Sequence, residues 1–166
     1  FIFPCLLKGK SRMPVAIMAM GIVFNLLNGM MQAGGLFYFA PEGLYADGWA
    51  YLLKPHALLG IILFFAGMFV NLHSDYVIRH LRRPGDTKHY LPGKGLYRYV
   101  TSANYFGELV EWTGFAILTA SPAAWVFVWW TFANLVPRAD AIHRRYREEF
   151  GDEAVGRRKR IIPFLY

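Results

Sequence analysis

Asn71-Leu72-His73-Ser74-Asp75-Tyr76 closes an apolar run that begins at Pro55, and Ala103-Asn104-Tyr105-Phe106-Gly107-Glu108-Leu109-Val110-Glu111-Trp112 opens a second one. Apolar stretches approaching ~20 residues predict helices that cross a bilayer. An amide or carboxylate inside such a helix is costly unless it faces a packed interior, a cavity or a ligand. Asn71 and Asp75 stand at i, i+4. Asn104, Glu108 and Glu111 stand at i, i+4 and i+7, with Trp112 beside them, so each set shares one helical face. Counted from the basic end at Arg82, Asn71 lies about 15 Å deep at ~1.5 Å per residue.

The rest of the chain agrees with a membrane reading. Of 166 residues 55% are apolar and 17% aromatic, too little polar surface for a water-soluble domain of this length. Four spans can be drawn, over about 13–39, 55–80, 103–119 and 122–137, the last continuing as a basic helix to Phe150. The fold class is therefore all-α, a multi-pass transmembrane bundle, with residues 1–166 read as one membrane domain. Ser121-Pro122 predicts a tight antiparallel hairpin of the last two spans, and Pro84-Gly85 with Pro92-Gly93 predicts turns over 84–95. All 18 Lys and Arg except Lys54 fall on one side of this arrangement, which marks that side, both ends of the segment included, as cytoplasmic. The membrane is a bacterial inner membrane or the endoplasmic reticulum. The net charge of +7 sits between spans rather than along a groove, which argues against nucleic acid.

One cysteine, Cys5, excludes an internal disulfide and any Cys-based metal site, and no metal is expected. Gly93-Lys94-Gly95 is a bare GxG with no third glycine, so it is not a Rossmann fingerprint. Phe1-Ile2-Phe3-Pro4-Cys5-Leu6-Leu7 reads as the tail of an apolar helix, as if the chain were the later part of a longer one.

Each polar feature also has a structural reading. Ser74 is expected to bond a neighbouring helix, and so are Asn25, Asn28 and Gln32 beside Gly21, Gly29, Gly34 and Gly35. The cations of Arg79–Arg83 and Arg138–Arg147 satisfy the positive-inside rule and meet lipid headgroups, leaving a subset for a ligand phosphate. For Asn71 with Asp75, and for the Asn104–Glu108–Glu111 stripe, a ligand is the better reading, because helix packing rarely needs net charge. A cavity for it is expected between the second and third spans.

The blocks NLHSDYVIRHLRRPG, GLYRYVTSANYFGELVEWTGFA and RRKRIIPFLY resemble the C-terminal portion of the steroid 5α-reductases, from about Asn71 to Tyr166. Phe24, Asn28-Gly29 and Gln32 extend the likeness into the first span. The resemblance implies a seven-span bundle that holds NADPH in a cytosol-facing pocket and takes a Δ4-3-oxosteroid from the membrane. Hydride passes to C5 and a proton to C4. It also implies that Asn71, Asp75, Arg82, Asn104, Glu108, Arg138, His143, Tyr146 and Arg158 contact the cofactor, while Phe24 and Trp112 line the steroid. The Glu and Tyr that polarise the steroid carbonyl would belong to upstream helices. The turn Lys88-His89-Tyr90-Leu91-Pro92 departs from the usual aromatic-basic pair, so contacts to the adenosine end would be rearranged. No obligate protein partner is implied. Two other readings are an isoprenylcysteine-type methyltransferase and a proton-conducting subunit. The first needs Arg-His-Pro where Thr101-Ser102-Ala103-Asn104 stands; the second would use Asp75, Glu108 and Glu111 as a relay.

Overall fold

The structure is a computed structural model that describes residues 14–82, 86 and 88–166. The expectations for Cys5, the cations at 8–12, Arg83 and Pro84-Gly85 lie outside those residues. The described chain is all helical, with helices α1 (Val15–Phe37), α2 (Pro55–Arg79), α3 (Ala103–Thr119), α4 (Pro122–Phe150) and a single turn α5 (Asp152–Val155). Two 3₁₀ turns, Gly48–Leu53 and Gly95–Arg98, lie in the connections. The four predicted spans coincide with α1 to α4 within two residues at each end. Two of them, α1 and α2, are long and apolar enough to cross a membrane.

Local chemistry sets the boundaries. Pro55 and Pro122 occupy first-turn positions, where a missing N–H costs nothing. α3 ends at Ala120 in the left-handed region (φ 50°), and Ser121 leads straight into α4, giving the expected hairpin. Pro137 sits inside α4 at the change from apolar to basic sequence. Among the described residues of 84–95 the chain is non-helical up to Gly95.

The tightest packing is between α2 and α3, and glycine makes it possible. A methyl group at Gly67 would collide with the Glu111 backbone nitrogen and lie 2.7 Å from Gly107 O. One at Gly107 would be 2.5 Å from Asn71 N. Gly60 and Gly114 repeat the arrangement seven residues along, so the antiparallel helices touch backbone to backbone at two levels.

α1 joins the rest through α4. Gln32 Nε2 donates to Ala123 O at 3.2 Å and to Asn28 Oδ1 at 3.4 Å, while Gly35 abuts Ala123 and Ser121. Gln32 thus bonds a neighbouring helix as expected, whereas Asn28 and Asn25 bond within their own helix, to Gln32 and to Gly21 O. At the opposite end of the bundle a C-terminal strap closes the fold. Thr101 N–H donates to Lys159 O at 2.9 Å, Ser102 N–H to Arg160 O at 3.1 Å, and Lys159 N–H to Tyr99 O at 2.8 Å. Ile161 is fully buried between α3 and α4 with Leu109, Leu135 and Ala139.

Candidate functional site

The Gly67–Gly107 contact brings the two polar stripes together. Asn71 sits one helical turn beyond Gly67, and its amide lies against the Glu111 carboxylate. Glu108 has Glu111, Asp75 and Arg138 as its charged neighbours, with the Trp112 side chain beside it. Asn71, Asp75, Asn104, Glu108 and Glu111 are all half-buried. The expected cavity between the second and third spans is not there. Backbone contact at the glycines closes that space, and the polar groups gather at the edge of the helix pair that faces α4.

Tyr97, in the 3₁₀ turn between α2 and α3, is the residue that sequence reasoning missed. It is 1% exposed, and its hydroxyl donates to Asn104 Oδ1 at 3.4 Å. Asp75, Tyr105 and Tyr146 surround it. Tyr146 in turn neighbours Arg82. Burial pushes the phenols of Tyr97 and Tyr146 above the ordinary range, so both remain proton donors at neutral pH. Arg82, Tyr146, Tyr97, Asp75, Glu108 and Arg138 thus share one electrostatic neighbourhood, in which Tyr97 and Asn104 are hydrogen-bonded. Periodicity could not show Tyr97, since it belongs to neither stripe.

Two predicted contacts lie elsewhere. His143 is buried against the strap side of α4, where its Nδ1 is 3.3 Å from Thr101 Oγ1. The Thr101 hydroxyl reaches the Lys159 and Arg160 carbonyls at 3.4 and 3.2 Å. Arg160 pairs with Asp140 at 2.5 Å and stacks over the Tyr166 ring. Arg158 donates to Pro92 O at 3.3 Å, fixing the turn at 92–93. In the divergent turn, His89 Nδ1 meets Glu149 Oε1 at 2.5 Å and Tyr90 donates to Asp86.

The two predicted apolar lining residues converge on a third. Phe24 stacks on Phe127 (6.3 Å between centroids) and on Trp130 (5.5 Å), while Trp112 meets Phe127 edge-on at 4.6 Å. Phe127 therefore joins α1, α3 and α4 in one aromatic wall, and Trp112 links that wall to Glu108.

Residues 11–166 match the family described as 3-oxo-5-alpha-steroid 4-dehydrogenase. The chain is 42% identical over 165 residues to 3-oxo-5-alpha-steroid 4-dehydrogenase 1 of Homo sapiens, covering 99% of this chain and 61% of the relative. The figures for the Macaca fascicularis protein of that name are 42%, 99% and 60%. To 3-oxo-5-alpha-steroid 4-dehydrogenase 2 of Homo sapiens it is 37% identical over 166 residues, covering 100% of this chain and 63% of the relative. The chain thus spans about three fifths of the length of these relatives. With its apolar helices and these likenesses, the chain belongs to the 3-oxo-5-alpha-steroid 4-dehydrogenase family, whose printed name describes redox chemistry on a steroid.

Proposed function

We propose that the complete protein is a multi-pass membrane enzyme that reduces the Δ4 double bond of a 3-oxosteroid with NADPH, and that this segment supplies most of the cofactor site. The observation that carries the reading is the convergence of Asn104, Glu108 and Asp75 with Tyr97 and Arg138 at one half-open edge. The donor set fits a primary carboxamide: the Asn104 amide can donate to its oxygen, and the Glu108 carboxylate can accept from its nitrogen. Arg82 and Arg138 belong to the same neighbourhood, and neither makes an ion pair among the described residues, leaving both free for phosphate oxygens.

NADPH, when bound, supplies the hydride for steroid C5. The chain's own residues hold and orient. Asn71 fastens Glu111, which keeps α2 and α3 in register beneath Glu108. Asp75 and Tyr146 offer an acceptor and a donor to ribose hydroxyls. The Phe24–Phe127–Trp112 wall offers a flat apolar surface against which a steroid buries its rings. His143 and Arg158 act at one remove, by holding the strap and the 92–93 turn. The upstream segment contributes the groups that polarise the steroid carbonyl.

The test uses the full-length protein in detergent, following NADPH oxidation optically on addition of testosterone or progesterone, with NADH as control. Loss of a hydrogen bond to a charged group is worth about 1.5–3 kcal/mol, roughly 10- to 150-fold in affinity. Glu108→Gln should weaken NADPH binding on that scale and Asn104→Ala by about threefold to tenfold, the range of a neutral hydrogen bond, each lowering turnover as well. Unchanged binding and rates in both variants would remove the assignment.

A further inference from the structure

Tyr97 has no place in either polar stripe, yet its hydroxyl sits at the start of α3. Asn104 lies in the first turn of that helix, where backbone N–H groups lack intrahelical partners. Ser102, at the N-cap position, makes no side-chain cap bond, and its hydroxyl is buried without a partner. The phenol is beside this helix start: the Asn104 backbone N–H is a neighbour of the Tyr97 oxygen, and the phenol proton goes to Asn104 Oδ1 at 3.4 Å.

That second contact has a chemical consequence. An asparagine amide can present either its oxygen or its NH₂ to a ligand, and its hydrogen-bond partners decide which. A phenol has a single proton to give, and here the amide oxygen takes it. The NH₂ group is then the face left for a ligand. We propose that Tyr97 is a positioning residue that locks the Asn104 amide with its N–H donors toward the ligand, so that Asn104 reads the oxygen and Glu108 the nitrogen of the nicotinamide carboxamide. The inference rests on the proposed function, because it takes Asn104 and Glu108 as the carboxamide's partners. It adds a specificity device: with the amide locked, a carboxamide is accepted in one orientation only, which fixes the ring face turned toward the steroid.

The experiment measures equilibrium binding, by titration calorimetry on the full-length protein in detergent, of NADPH and of its thionicotinamide analogue. The analogue keeps the NH₂ group that Glu108 reads and replaces the oxygen that Asn104 reads with sulfur, a weak acceptor. The unsubstituted protein should favour NADPH over the analogue. Tyr97→Phe should weaken NADPH binding about threefold to tenfold, the range of one neutral hydrogen bond, and change analogue binding less than twofold, so that discrimination shrinks. Asn104→Ala should remove the discrimination, and adding Tyr97→Phe to it should change nothing further, because the phenol acts only through Asn104. Equal loss of both ligands in Tyr97→Phe, or a further loss in the double variant, would overturn the positioning role. Failure of the unsubstituted protein to bind NADPH at all would instead overturn the proposed function, so the two failures are distinguishable. Should Tyr97→Phe not fold, the orientation claim falls or stands on Asn104→Ala alone: full discrimination retained there contradicts it.

Discussion

His143 shows how one side chain can carry a structural role that its neighbours in sequence do not suggest. It stands on the basic extension of α4 beside cations, where a phosphate-binding role is natural to expect. In the fold it is 6% exposed and directed at Thr101. The Thr101 hydroxyl gives its proton to a strap carbonyl, so its oxygen accepts from a protonated Nδ1 of the imidazole. Burial first, then the nearby guanidinium groups of Arg160 and Arg147, hold the imidazole below its ordinary pKa. The sign follows directly. Below about pH 6.5 the unfolded chain binds a proton that the folded chain refuses, so this contribution to stability is complete above that pH and is lost as pH falls toward the folded value. The slope from one such group reaches at most ~1.4 kcal/mol per pH unit. Asp140, held low by the Arg160 guanidinium, adds a loss of the same sign in the carboxylate range at lower pH. His143→Gln should therefore flatten the fall in apparent melting temperature between pH 7 and pH 5. An unaltered slope would show that His143 is not the group responsible.

At the scale of the element, the site depends on how closely α2 and α3 approach. The polar stripes were legible because carboxylates stand out against apolar sequence at helical spacing. The device that joins them was not. Gly60, Gly67, Gly107 and Gly114 are four of sixteen glycines, and only the pairing of two helices separates them from Gly21 or Gly29, whose added methyl groups would meet nothing within 4 Å. The expected cavity failed for the same reason, since polar side chains on facing helices suggest a gap while glycines between them close it. Gly107→Ala places a methyl group 2.5 Å from Asn71 N, and neither partner atom belongs to a flexible side chain. Such overpacking costs about 1–3 kcal/mol, and separating the helices also draws Asn71 away from Glu111. The expected outcome is a lower melting temperature together with weaker NADPH binding. Gly29→Ala should leave both near the unsubstituted values or raise stability slightly, given the better helix propensity of alanine. Equal behaviour of the two variants would mean that the backbone contact does not position the site.

Across the whole molecule, long-range hydrogen bonds fix which helix ends lie together, and the four-crossing topology proposed from charge can be tested against them. Hydropathy made the helices readable, while the positions of Lys and Arg give only the orientation proposed for them. The long-range bonds that fix the ends could not be read, since no periodic pattern relates Thr101 to Lys159 or Tyr45 to Thr119. Those bonds nevertheless constrain the crossings. Pairing of 99–102 with 159–160 puts the start of α3 and the C-terminal strap at one end of the bundle, so α3 and α4 must both cross or neither must. Tyr45 donates to Thr119 O at 2.5 Å and Tyr51 to Leu118 O at 2.8 Å, which puts the α1–α2 connection at the other end, beside the Ala120-Ser121 turn. α3 is about 26 Å long at ~1.5 Å per residue, short of the ~30 Å hydrocarbon core, so the proposed crossing of α3 requires local thinning of the bilayer. All the cations between α2 and α3 and beyond Pro137 then share one face, while the α1–α2 connection keeps only Lys54, paired with Asp47. Single cysteines replacing exposed residues, on a full-length background in which Cys5 and every other cysteine are replaced by Ser, test this. Glu42→Cys and Glu153→Cys should react with a membrane-impermeant maleimide from opposite faces, Glu153→Cys in inside-out vesicles and Glu42→Cys in intact cells. Labelling of both from the same face would break the proposed four-crossing arrangement and, with it, the proposed placement of Arg82 and Arg138 on the cofactor's side.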